Sequence, residues 1–142
     1  MSRELDDREL VELVLEFARQ VNALQRRYAP RLAEARQEGR MDALLTAYRR
    51  DAETLYGRWL TRRKRSLYTP LPDRPTFAAV EKLTLGAVAR EKNQAVVELL
   101  TSGGCLDFRF RLLRKNGEWR VNGCQQRYHS GDRVDQWNDG VL

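Results

Sequence analysis

Apolar residues recur every three or four positions in the first part of the chain and every second position in the last part. A period of 3.6 marks an amphipathic helix and a period of 2 a half-buried strand, so the pattern predicts helices first and sheet second. Residues 7–29 carry the stripe Leu10, Val14, Phe17, Val21, Leu24, Tyr28, widened by Val11, Leu15 and Ala18. Asp6 followed by Glu9 is the start signal of a capping box. Pro30 kinks or ends this helix, a short helix follows over 31–38, and Gly39 stops it. Residues 41–65 predict a second long helix, with the stripe Met41, Leu44/Leu45, Tyr48, Ala52, Leu55/Tyr56, Trp59/Leu60. Three prolines, Pro70, Pro72 and Pro75, exclude helix and central strand between the two halves.

Beyond residue 76 the alternation predicts four strands: Val80–Arg90, Ala95–Thr101, Leu106–Lys115 and Glu118–Tyr128. Asn116-Gly117 is the strongest turn signal, because a two-residue type I′ hairpin needs φ > 0 at both positions. It sets Lys115 opposite Glu118, Leu112 opposite Val121 and Phe110 opposite Gly123. Leu106, Phe108, Phe110, Leu112, Trp119 and Val121 then share a buried face. Asp107, Arg109, Arg111, Arg120, Asn122 and Gln126 share the other, as in an antiparallel sheet with one wet side. The expected fold class is α+β, with long N-terminal helices packed on a curved antiparallel sheet of about four strands. At 142 residues one domain is expected over 1–142. Its parts are a helical half 1–69, a Pro-rich crossing 70–75, a sheet half 76–128 and a tail 129–142.

Composition narrows the chemistry. Two cysteines, Cys105 and Cys124, and one histidine, His129, are too few for a Cys/His zinc site or a disulfide scaffold. The expected register puts Cys124 opposite Arg109, four positions from Cys105, about 13 Å at roughly 3.3 Å per residue. That is beyond disulfide reach, so both are expected as free thiols. His129 stands alone at a strand end, and Ser130 and Asp135 are too weakly placed to complete a triad with it. Gly103-Gly104 joins two strands and makes no phosphate loop. Tyr48, Tyr56, Trp59, Asp107 and Trp119 could line a pocket between helix and sheet, but core aromatics plus a surface Asp is the plainer reading. No catalytic, metal or cofactor site is expected.

The net charge is +6, with arginine dominating the basic residues. Arginine codons are GC-rich, which points to a GC-rich bacterial genome. Residues 1–40 carry 8 basic and 8 acidic residues, 41–75 carry 8 and 4, and 76–142 carry 10 and 8. The excess is therefore local and makes no continuous stripe, so nucleic acid is an unlikely partner. Arg62, Arg63 and Arg65 form one basic patch, read most simply as a solvated helix end favoured by the helix dipole. Arg109, Arg111, Arg120, Asn122, Gln126 and Tyr128 form a second, rigid patch on the sheet. Arg and Tyr are enriched at interface hot spots, so these residues, with Trp137, are the candidate partner-binding set. A Trp in a polar tail is expected to dock on the body. No apolar run is long enough to span a membrane. The charged start, Met1–Asp7, lacks the apolar core of a secretory signal, so a cytoplasmic protein is expected.

The run Asp107-Phe108-Arg109-Phe110-Arg111-Leu112-Leu113-Arg114-Lys115-Asn116-Gly117-Glu118-Trp119-Arg120-Val121 resembles the closing hairpin of the nuclear-transport-factor-2-like cone fold. The layout of helices, Pro-rich crossing and meander agrees with it. The tail Trp137-Asn138-Asp139-Gly140-Val141-Leu142 narrows the resemblance to bacterial immunity proteins of that fold, found beside polymorphic toxin genes. The resemblance implies a non-catalytic protein that neutralises a cognate toxin by binding it. The positive charge suits a toxin with an acidic binding surface. Sheet faces of this fold often pair, which leaves a homodimer open. The alternative is a small-ligand binder or an isomerase or dehydratase of the same fold.

Overall fold

The computed structural model describes residues 4–62, 71–72, 74–101, 106–130, 133–134, 136–139 and 142. Helix α1 spans Asp7–Tyr28 and starts with the expected capping box: Asp6 accepts from the Glu9 N–H at 2.8 Å, and Glu9 accepts from the Asp6 N–H at 3.3 Å. Its apolar stripe is buried as expected. A 3₁₀ turn over Ala29–Arg31 carries Pro30 into α2, Leu32–Gln37. Gly39 closes that helix at φ +70°, a conformation only glycine adopts cheaply, while Arg40 N–H donates to Ala35 at 2.7 Å.

Helix α3 spans Met41–Trp59 and ends six positions short of the expected boundary at 65. The reason is a long-range pairing. Leu60 is extended and bridges Val121 in parallel, with Thr61 N–H donating to the Val121 carbonyl at 2.9 Å. Arg120 reaches across and donates to the Gly57 and Arg58 carbonyls at 3.1 and 2.9 Å, satisfying last-turn acceptors of α3.

Asn22 and Gln25 are fully buried on α1, outside its apolar stripe. They bind backbone arriving from the Pro-rich crossing. Asn22 accepts from Phe77 N–H at 2.9 Å, and Gln25 accepts from Thr76 N–H at 2.7 Å. Gln25 also donates to the Thr76 hydroxyl at 2.9 Å and to Tyr48 at 3.4 Å. A 3₁₀ turn, Ala78–Glu81, follows, so Val80 lies in a turn and not in the first strand as the pattern suggested.

The sheet is an antiparallel meander of β1 Thr84–Glu91, β2 Gln94–Thr101, β3 Leu106–Lys115 and β4 Glu118–Ser130, closed by a two-residue β5, Arg133–Val134. Asn116 and Gly117 take φ of 54° and 80°, as the hairpin requires. The helices cover one face of this α+β fold. Phe17 of α1 meets Phe77 at 6.0 Å and Phe110 at 6.3 Å, and Phe77 meets Phe108 at 5.1 Å. These four rings, all fully buried, fill the space between α1 and the sheet. Each favourable ring pair adds about 0.5–1.5 kcal/mol beyond its area burial. Among the described residues, no helix is long and apolar enough to cross a membrane.

Candidate functional site

Alternation along β3 turns Phe108, Phe110 and Leu112 inward and Asp107, Arg109, Arg111 and Leu113 outward. On the outer face Arg109 lies between Glu98 of β2 and Gln125 of β4, and Arg111 lies between Val96 and Gly123. The Arg109 guanidinium donates from Nε to the Gln125 side-chain oxygen at 2.9 Å. It also stacks on the Trp137 ring, 4.8 Å from the centroid. Arg127 approaches the same ring at 4.2 Å, and its Nε donates to Asp107 at 3.2 Å. The tail holding Trp137 is pinned by paired backbone bonds between Gln126 and Asn138 at 3.0 and 2.8 Å, and by Gln125 donating to Asp139 at 2.6 Å. Trp137 therefore docks on the body, as expected.

The register of β3 on β4 differs from the expected one beyond Leu112. A bulge between Arg111 and Leu112 places Phe110 opposite Cys124, not Gly123, and Arg109 opposite Gln125, not Cys124. The extra residue reverses the facing of the rest of β4. Gln126 and Tyr128 stand opposite Phe108 and Leu106, on the inner side of the sheet, and so leave the arginine face to which the alternation assigned them. Gln125 and Arg127 take their place, and no local sequence signal marks the shift beyond Gly123 itself. Cys124 is a buried free thiol whose pKa burial pushes far up, so it stays protonated. Cys105 lies outside the described residues.

Asp107 also departs from expectation. It is not a surface group but 3% exposed, accepting from Thr101 N–H at 3.1 Å as well as from Arg127. Tyr48, Tyr56 and Trp119 are core residues, and half-buried Trp59 donates from its indole to Gln20 at 2.9 Å. Among the described residues, no group of three His, Cys, Asp or Glu side chains is placed to hold a metal ion.

The remaining candidates line one trough. A groove of about 660 Å³ is walled by Thr61, Arg62, Leu113, Lys115, Arg120 and Asn122. A recess of about 480 Å³ adjoins it through Leu113 and Asn122 and is walled further by Val96, Arg109 and Arg111. Asn122 accepts from the Thr61 hydroxyl at 2.7 Å, which fixes the trough's mid-point. Arg120 is engaged with the α3 carbonyls and with Glu118 at 3.2 Å, so its role is largely architectural. Arg62 is not at a helix end but on the bend after Leu60, and Arg63 and Arg65 lie outside the described residues. Arg62, Arg111 and Lys115 are exposed, and none has a carboxylate partner among the described residues.

Compared with protein-family models, curated proteins and solved structures, the chain matches none.

Proposed function

We propose that this chain is a non-catalytic immunity protein of the bacterial cytoplasm that neutralises a cognate toxin by binding an acidic surface of it. The observation that carries this reading is the trough on the outer sheet face. Three exposed cations, Arg62, Arg111 and Lys115, none of them in an ion pair among the described residues, surround a floor that includes the apolar side chains of Val96 and Leu113. Cations at the rim steer an acidic partner and raise the association rate, and apolar floor contacts slow its release. Strands carry most of these groups, so little ordering entropy opposes binding.

Two further features support the reading. The Arg-rich hairpin and the Trp-x-x-Gly tail resemble immunity proteins of the nuclear-transport-factor-2-like fold. The space between α1 and the sheet, where a ligand-binding or isomerase member would need an open pocket, is taken up by Phe17, Phe77, Phe108 and Phe110.

The experiment is co-expression. The toxic product of the adjacent gene is induced in a sensitive bacterial host with and without this protein. Restored growth together with co-purification of the two chains is the expected result. Undiminished toxicity, or the lack of any toxin gene beside this one, overturns the proposal.

A further inference from the structure

Among the described residues, strand β1 is the open edge of the sheet. The opposite edge, along β4, is closed in part by Leu60, by β5 and by Asn138. Edges are commonly blunted by charge, proline, a bulge or a cover. The stretch Thr84–Ala89 is free of charge and proline, and its ladder with β2 runs without a bulge from Thr84 to Glu91. Of the flanking cations, Lys82 and Lys92 lie outside the strand, and Arg90 is drawn back onto the segment before α1, donating to the Leu5 carbonyl at 2.6 Å and pairing with Glu4 at 3.3 Å. Two of the three most exposed large apolar side chains among the described residues are here: Leu83 at 72% and Leu85 at 64% exposed.

The two-residue turn Lys92-Asn93 makes Glu91 and Gln94 a hydrogen-bonded closing pair. Antiparallel alternation then aims the N–H and C=O groups of Thr84, Gly86, Val88 and Arg90 at the open edge. Among the described residues, no backbone group bonds to them there.

We infer that β1 pairs antiparallel with β1 of a second copy of this chain, about a two-fold axis at Ala87, joining the two sheets. Residues directly opposite in an antiparallel pair share a face, so a two-fold axis must pass through a residue position. An axis at Gly86 confines the pairing to Thr84–Val88, because Ala89 and Arg90 then fall opposite Leu83 and Lys82, before the strand begins. An axis at Val88 sets Leu85 against Glu91 and extends the ladder into Lys92, whose φ of 33° belongs to the turn. The axis at Ala87 pairs Thr84 with Arg90, Leu85 with Ala89 and Gly86 with Val88, all inside the strand. It also covers Leu85 with an apolar neighbour.

The test uses the full chain and does not depend on the proposed activity. Sedimentation equilibrium across a concentration series is expected to show a species of twice the 16.6 kDa chain mass. Ala87 is an exposed outer-face residue, so charge placed there leaves the monomer folded. Ala87→Lys is expected to weaken the dimer by about tenfold or more, and an equimolar mixture with Ala87→Glu to restore it. At the axis the two Cα atoms would sit about 4.5 Å apart, within disulfide reach. Ala87→Cys is therefore expected to cross-link to itself under mild oxidation, whereas Leu85→Cys cross-links only when mixed with Ala89→Cys. A monomer at every concentration, a dimer indifferent to Ala87→Lys, or failure of Ala87→Cys to cross-link overturns the inference.

Discussion

The Arg127 guanidinium lies 4.2 Å from the centre of the Trp137 ring, and Arg109 approaches the same ring at 4.8 Å. One tail residue thus covers two cations of the sheet and sets how much of the arginine face is left for a partner. Trp137→Ala is expected to release the tail and cost about 1–2 kcal/mol from the lost cation–π contacts. Urea unfolding checks the energy. Faster proteolysis of the tail checks the release, and unchanged values of both contradict the docking.

Among the described residues, Asp107 and Arg127 form the most buried ion pair, with side chains 4% and 17% exposed. Removing one partner of such a pair strands a buried charge, so Asp107→Ala is expected to cost about 3–5 kcal/mol. Adding Arg127→Met to that variant should cost much less than the two changes separately. Additive losses in a double-mutant cycle would show that the two side chains do not act as a pair.

Gln25 ties α1 to the chain leaving the Pro-rich crossing. Gln25→Leu keeps similar bulk but leaves Thr76 N–H without its buried acceptor. The expected loss is about 1–3 kcal/mol, read by denaturant midpoint at constant m-value. A neutral substitution would contradict the tethering role.

The Arg26 guanidinium beside Glu81, helped by the Asn22 amide at 3.2 Å, holds the Glu81 carboxyl below its ordinary value of 4.5. A carboxyl with a lowered folded-state pKa favours the folded state above its unfolded pKa. That contribution is lost as pH falls through the folded value. Stability of the parent chain is therefore expected to fall more steeply below pH 4.5 than that of Glu81→Gln. Melting temperatures measured across acid pH decide this, and parallel curves count against it.

Much of the fold was legible because its causes are local. Asp6 with Glu9 capped α1, and Asn116-Gly117 set the hairpin, both through backbone chemistry within a few residues. The misreadings share a long-range cause. Helix α3 stops at Trp59 because Leu60 pairs with Val121, more than sixty positions away in the sequence. Val80 fits the alternating pattern, yet the segment is held in a turn beside Asn22 and Gln25. At the site, Arg109 and Arg111 were placed correctly because β3 is regular. Gln126 and Tyr128 were not, because one bulged residue in β4 reverses every later side chain. The buried Asp107 was unreadable in advance, since its partner Arg127 faces it only after that shift.

The central claim is that the cations of the outer trough bind an acidic toxin surface. The most direct measurement is calorimetric titration of the toxin encoded beside this gene with the parent chain and with the double variant Arg111→Glu, Lys115→Glu. Both positions are exposed and make no ion pair among the described residues, so the variant should keep the fold. The account predicts binding that weakens with salt and a loss of at least about tenfold in affinity on charge reversal. Undiminished, salt-independent binding by the variant would contradict it.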